Sequence, residues 1–206
     1  MIKSVLGKDL DPLIQRIFPF LFRRPLDPNL LSVCGALVSI AAAAAFGVGR
    51  LGLGGLLILL GGFFDLVDGV VARHQGVSTR FGAFLDSTLD RLSDMALLLG
   101  LGVHYGVRGE PWHALLAGAA LASSVLVSYA KARAEVDIGS LEVGILERAE
   151  RVVILAAGAL FGFVIPALWI ITLGSTITVI QRVRVAHREM ERLDEADRSG
   201  LGEQTG

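Results

Sequence analysis

LGLGGLLILLGGFFDLVDGVVAR, residues 51–73, runs through apolar residues and glycines without a break to Phe64 and then sets Asp65 and Asp68 three positions apart. A stretch of about 20 predominantly apolar residues is long enough to cross a bilayer as a helix. This one is therefore read as a membrane span whose polar end carries two carboxylates. A carboxylate there is costly to keep, and its default meaning is functional. Past a short connection, Gly82, Asp86 and Asp90 repeat at four-residue steps and share one face of the next helix. A hairpin would bring the two stripes together. Four bare carboxylates repel one another and take up protons, whereas with hard divalent cations they form a stable oxygen-ligand set. Four exceed what one magnesium usually takes from protein, so two divalent cations are expected, magnesium favoured over manganese.

The rest of the chain agrees with a membrane setting. Of its 206 residues 53% are hydrophobic, and the mean hydropathy of +0.63 lies well above that of an ordinary soluble domain. Six spans are expected, at 29–49, 52–74, 80–105, 112–133, 145–162 and 164–185, all helical because only a helix satisfies its own backbone in lipid. The fold class is thus an all-α, multi-pass membrane protein. Residues 9–24 place Leu10, Leu13, Ile14, Ile17, Phe18 and Leu21 at three- and four-residue steps beside Lys8, Arg16, Arg23 and Arg24, which predicts an amphipathic helix lying in the interface. This divides the chain into an interfacial segment, 1–27, a six-helix domain, 28–185, and a charged tail, 186–206. The tail reads as a helix extension that frays, with no catalytic role.

All 19 Lys and Arg except Arg50 and Arg108 fall on the side that holds the termini and the even-numbered connections. The positive-inside rule puts that side, with the aspartates, in the cytoplasm of a cell-membrane protein. Cys34 is the one cysteine, so no intrachain disulfide forms. No nucleic-acid partner is expected.

Gly69 and Ala72 leave room beside Asp68 for a flat group such as a nucleobase, and Arg73 offers a fork suited to phosphate oxygens. Gly61 and Gly62 are read instead as helix-packing residues. Four cations, Lys131, Arg133, Arg148 and Arg151, gather near one cytoplasmic mouth, where an acceptor bearing its own phosphate would bind. The same bias follows from the positive-inside rule alone. A transporter would also place carboxylates among six helices, but would be expected to show broken helices and internal repeats. A non-catalytic lipid-binding protein would have no need of all four aspartates.

The pattern D-x2-D-G-x2-A-R-x8-G-x3-D-x3-D, met by Asp65, Asp68, Gly69, Ala72, Arg73, Gly82, Asp86 and Asp90, resembles the signature of the CDP-alcohol phosphotransferase family. Pro28-Asn29 opening the first span resembles the family's Pro-Asn-x-x-Thr, with Ser32 in place of the threonine. The resemblance implies displacement of CMP from a CDP-linked lipid, CDP-diacylglycerol or CDP-archaeol, by an acceptor alcohol, with two metals on the pyrophosphate. By position it makes Asp65, Asp68 and Asp86 metal ligands, and Asp90 both a ligand and the general base. Pro28, Asn29, Ser32, Asp68, Gly69, Ala72, Arg73 and Gly82 would hold the CDP-lipid. It also implies a homodimer.

The segments Ser128-Tyr-Ala-Lys131-Ala-Arg133-Ala-Glu135 and Glu147-Arg148-Ala-Glu150-Arg151 look like those of the phosphatidylinositol phosphate and archaetidylinositol phosphate synthases within that family. The likeness implies inositol 1-phosphate as acceptor, bound by Ser128, Lys131, Arg148, Arg151 and Arg182. Glycerol 3-phosphate is the alternative. The chain departs from the actinobacterial members at Ala149, commonly proline there, and in the loop 136–144.

Overall fold

A computed structural model describes residues 27–75 and 79–203, and it holds six helices and no strand among them. They are α1 (Pro28–Gly47), α2 (Leu51–Gln75), α3 (Arg80–Val107), α4 (Pro111–Ile138), α5 (Arg148–Phe161) and α6 (Val164–Glu203). The interfacial helix expected over 9–24 lies outside the described residues. Helix starts follow local chemistry. Asp27 caps α1 by accepting from the N–H of Asn29 at 2.9 Å, with Pro28 at the first position where its missing N–H costs nothing. Thr79 caps α3 by accepting from the N–H of Gly82. Gly162, at φ +77°, ends α5 in the left-handed region and allows the turn into α6.

Helix α1 packs on α2 and α3, α4 on α3 and α6, and α5 on α2 and α6. Phe46, Ile58, Leu98, Leu101, Leu116, Leu155, Leu168 and Ile171 bring all six helices into one apolar core. Small residues set the approach of the helices. A Cβ added at Gly61 would stand 2.7 Å from Ser39 Oγ, and one at Gly35 would stand 3.1 Å from Phe64 Cβ, so α1 and α2 meet nearly backbone to backbone. Gly62 has only Val152 nearby, at 4.0 Å, and is not a close-packing position. Gly100 lies against the carbonyl of Ala43, where any Cβ would collide, while Gly102 on the same helix has nothing within 4 Å. Gly100→Ala is therefore expected to destabilise by about 1–3 kcal/mol through overpacking. Gly102→Ala should be neutral or slightly stabilising, because alanine is the better helix former. Thermal unfolding of the two purified variants in detergent checks the contrast.

Four helices are long and apolar enough to cross a bilayer, in the stretches Pro28–Gly47, Leu51–His74, Pro111–Ile138 and Val164–Arg198. These four stretches have the length and composition of a multi-pass membrane protein. The other two expected spans form as helices but do not meet that standard. Helix α3 carries Asp86, Asp90, Arg91 and Asp94 within its first fifteen residues, and α5 has 14 residues, about 21 Å of rise. The fifth span was expected from 145. It starts at 148, because Gly144 sits at φ +145° and the N–H of Leu146 is tied to Thr178 Oγ1 at 3.1 Å. The sixth was expected to end at 185 and fray. It continues as one helix to Glu203, supported by pairs at helical spacing such as Arg192–Glu189 at 2.9 Å and His187–Glu191 at 3.5 Å.

Candidate active site

Helix α2 delivers Asp65 and Asp68, and α3 delivers Asp86, Asp90 and a further member of the same four-residue series, Asp94. Asp68 is buried and its Oδ2 accepts from the Ser32 hydroxyl at 2.6 Å, which ties α1 to α2 at this level. Gly35 lets α1 pass close to Asp65, since a Cβ there would stand 2.9 Å from Asp65 Oδ1. Asp86 has no hydrogen-bond or ion-pair partner among the described residues.

Arg148, the first residue of α5, enters the aspartate row itself. Its Nη1 lies 2.7 Å from Asp65 Oδ2 and 2.7 Å from Asp90 Oδ1, and its Nε is 3.4 Å from Asp94 Oδ1. The last is a charge contact without hydrogen-bond alignment, because Nε has no hydrogen-bond partner. Arg151, one turn on, places Nη2 2.7 Å from Asp94 Oδ2. Two carboxylates from different helices thus converge on a single cationic nitrogen, at a distance from each other no greater than twice that contact. The physical reason is mutual repulsion, which a cation between them removes.

That same observation bears on a metal. Among the described residues no three acidic, histidine or cysteine side chains are grouped closely enough to hold an ion as they stand. Asp68 turns to Ser32, and Asp65 and Asp90 turn to Arg148. The donor set nevertheless fits a hard divalent cation, being all carboxylate oxygen, and a positive group already stands between two of its members.

Beside the row lies a cavity of about 160 Å³. Its lining includes all five residues expected around an acceptor phosphate, Ser128, Lys131, Arg148, Arg151 and Arg182, together with Arg91, Glu147 and Glu150. Arg182 is buried and anchored, its Nη1 donating to the carbonyl of Val127 at 2.6 Å, its Nε to that of Val143 at 2.8 Å and its Nη2 to Glu147 Oε1 at 3.3 Å. It ties α4, the 139–147 connection and α5 to α6. Lys131 is more open, with Nζ 3.7 Å from Glu135. Arg91 donates back to the carbonyl of Ser87 on its own helix.

The residues expected at a CDP-lipid lie to the other side, on α1, α2 and the start of α3. A Cβ at Gly82 would stand 3.0 Å from Asn29 Oδ1, so the Pro28-Asn29 start of α1 adjoins Gly82. Arg73 folds back over Gly69, its Nη1 3.2 Å from where a Cβ would be. Ala72 is half-buried on the same turn of α2.

The family model for CDP-alcohol phosphatidyltransferase matches residues 26–181. The chain belongs to that family. The matched range contains the aspartates, the α1 start, Arg148 and Arg151. The chain is 36% identical over 192 residues to the archaetidylinositol phosphate synthase of Pyrococcus horikoshii, covering 93% of this chain and 99% of that one. It is 42% identical over 193 residues to the phosphatidylinositol phosphate synthase of Streptomyces avermitilis, covering 86% and 79%. It also resembles crystal structures of Mycobacterium tuberculosis phosphatidylinositol phosphate synthase. With manganese and citrate bound, that enzyme matches with a TM-score of 0.73 at 30% identity, over 87% of this chain and 88% of that one. With CDP-DAG bound it matches with a TM-score of 0.71, covering 92% of that chain.

As a CDP-alcohol phosphatidyltransferase, the protein is an enzyme of phospholipid biosynthesis, and its aspartates and cation-lined cavity adjoin across Arg148. Four residues of this region were not singled out from the sequence: Asp94, Arg91, Glu147 and Glu150. A signal existed for Asp94, which continues the 82, 86, 90 series by one more step. Glu147 and Glu150 stand in the quoted segment Glu147-Arg148-Ala-Glu150-Arg151 but drew no role from it, and Arg91 carried no signal beyond its charge.

Proposed function

We propose that the protein transfers the phosphatidyl or archaetidyl group of a CDP-linked lipid to inositol 1-phosphate and releases CMP. One observation carries the reading: a cavity lined by Lys131, Arg148, Arg151 and Arg182 opens beside the aspartate row, and Arg148 belongs to both. The match to enzymes named as phosphatidylinositol phosphate and archaetidylinositol phosphate synthases supports the acceptor. Glu147 and Glu150 in the same lining offer acceptors for ring hydroxyls, which glycerol 3-phosphate would use less fully.

Asp65, Asp68 and Asp86, with Asp90, would hold two divalent cations, magnesium or manganese. When bound, these neutralise the pyrophosphate charge that grows as CMP leaves. Ser32 orients Asp68 for that duty through its 2.6 Å hydrogen bond. Pro28, Asn29, Gly69, Ala72, Arg73 and Gly82 embrace the CMP moiety. The acceptor hydroxyl oxygen attacks the lipid-bearing phosphorus, the bond from that phosphorus to the CMP oxygen breaks, and Asp90 takes the hydroxyl proton. No covalent intermediate is needed. The excess of Lys and Arg on the side of the aspartates supports a site at the cytoplasmic face, and the family resemblance suggests that the enzyme would work as a homodimer.

CMP release from CDP-diacylglycerol, measured with inositol 1-phosphate, free inositol and glycerol 3-phosphate, tests the acceptor. Inositol 1-phosphate should be used well and free inositol poorly; turnover of glycerol 3-phosphate alone would replace the inositol assignment. Arg151→Gln should raise the acceptor KM by about 1.5–3 kcal/mol, at least tenfold, for a lost charged hydrogen bond. The donor KM should stay near wild type.

A further inference from the structure

We infer that Asp94 is a positioning residue of the acceptor cavity, holding Arg148 and Arg151 in the spacing that receives the acceptor phosphate. The inference rests on the acceptor site proposed above. Asp94 lies one helical turn beyond the last aspartate of the signature and is 13% exposed at its side chain. Its two oxygens are divided between the two arginines, Oδ1 3.4 Å from Arg148 Nε and Oδ2 2.7 Å from Arg151 Nη2. For Arg151 this is the one ion-pair partner among the described residues, and the arginine is 5% exposed.

The surroundings of Arg151 make that partner decisive. Below the acceptor cavity is a second, much smaller space of about 10 Å³, lined by Asp94, Ser124 and Arg151 against the apolar side chains of Leu97, Leu155 and Ile171. Arg151 Nη1 and Ser124 Oγ are both buried there without a hydrogen-bond partner. The space holds at most about one water. Apolar walls cannot orient a guanidinium, so among the described residues Asp94 is the charged partner that sets which way Arg151 presents its fork. Arg148 differs, since Asp65 and Asp90 hold its Nη1 while Asp94 steadies its Nε. Asp94 is the group that gives the two arginines a common reference.

A carboxylate beside an anion site has a second effect, opposite in sign: it lowers the local positive potential. Removing it would tighten phosphate binding if charge alone mattered. Positioning should win, because a planar fork loses its paired hydrogen bonds when misoriented, whereas a nearby charge adds only a diffuse attraction.

Asp94→Asn keeps the size and removes the charge; Asp94→Glu keeps the charge and shifts the carboxylate by one methylene. For Asp94→Asn the acceptor KM is expected to rise about tenfold or more, with the donor KM within about twofold of wild type and Mn²⁺ binding, followed by electron paramagnetic resonance, unchanged. Asp94→Glu should recover only part of the acceptor KM. An unchanged or lower acceptor KM in Asp94→Asn overturns the inference, as does a parallel loss of donor and Mn²⁺ binding, which would make Asp94 a general support of the fold. If Asp94→Asn does not fold, Asp94→Glu decides through the same two KM values, and a wild-type acceptor KM there overturns the inference. Failure of the wild-type enzyme to use inositol 1-phosphate is a separate result that removes the acceptor assignment itself.

Discussion

Asp86→Asn is expected to abolish CMP release while leaving the folded enzyme intact. Among the described residues the Asp86 carboxylate makes no hydrogen bond and no ion pair, so replacing it disturbs no such contact among them. The same cannot be said of Asp65, whose loss would strip Arg148 of a partner at 2.7 Å, or of Asp68, whose loss would remove the 2.6 Å hydrogen bond that ties α1 to α2. Asp86 is therefore the cleanest probe of the proposed metal set. A carboxylate that holds a cation against the charge of the departing pyrophosphate should contribute several kcal/mol to the transition state, each 1.36 kcal/mol being tenfold in rate. Activity above about a tenth of wild type in Asp86→Asn, with unfolding in detergent unaltered, would remove it from the ligands. Mn²⁺ titration of the same variant should show weakened binding whether or not substrate is present.

Asp90→Asn should lower turnover by about 10²- to 10⁴-fold, the usual contribution of a general base. Unlike the metal variants, it should still take up CDP-diacylglycerol with Mn²⁺, because Asp65, Asp68 and Asp86 remain as ligands and the main duty proposed for Asp90 begins when the acceptor hydroxyl arrives. Its contact with Arg148 Nη1 at 2.7 Å fits that duty. With the acceptor phosphate on the arginine as proposed, the same guanidinium would hold both the base and the phosphate and so fix the distance between them. Donor binding reduced as far as in Asp86→Asn would instead make Asp90 chiefly a metal ligand.

The local parts of this arrangement were legible in the sequence because they follow helical periods. Asp65 with Asp68, the 82, 86, 90 series and the pair Arg148 with Arg151 each lie within a turn or two of one helix, and spacing alone puts such residues on a shared face. The way α5 meets α2 and α3 was not legible. Arg148 reaches Asp65 across 83 residues of chain and Arg151 reaches Asp94 across 57, distances at which no period carries information. The start of α5 was misplaced for a related reason: Ile145 and Leu146 extend the apolar run, yet the bond from Leu146 to Thr178 that keeps them out of the helix comes from α6. Asp94 was passed over because the family pattern stops at Asp90, although the four-residue step does not.

The shortness of α5 has a consequence for where the chemistry happens. A rise of about 21 Å is less than the hydrocarbon thickness of about 30 Å, so a helix of this length cannot touch both boundaries of the bilayer. If the exposed Phe161 and Phe163 at its far end meet one boundary of the bilayer, Arg148 at its near end would lie short of the other. The two substrates then reach the reaction from different directions. The lipid donor would slide in along the membrane from headgroup level, while the water-soluble acceptor proposed above would have to descend and shed solvent before meeting the arginines. In such a recess each charge contact would be stronger than at the surface, and stray water would compete less well with the acceptor hydroxyl for the phosphorus.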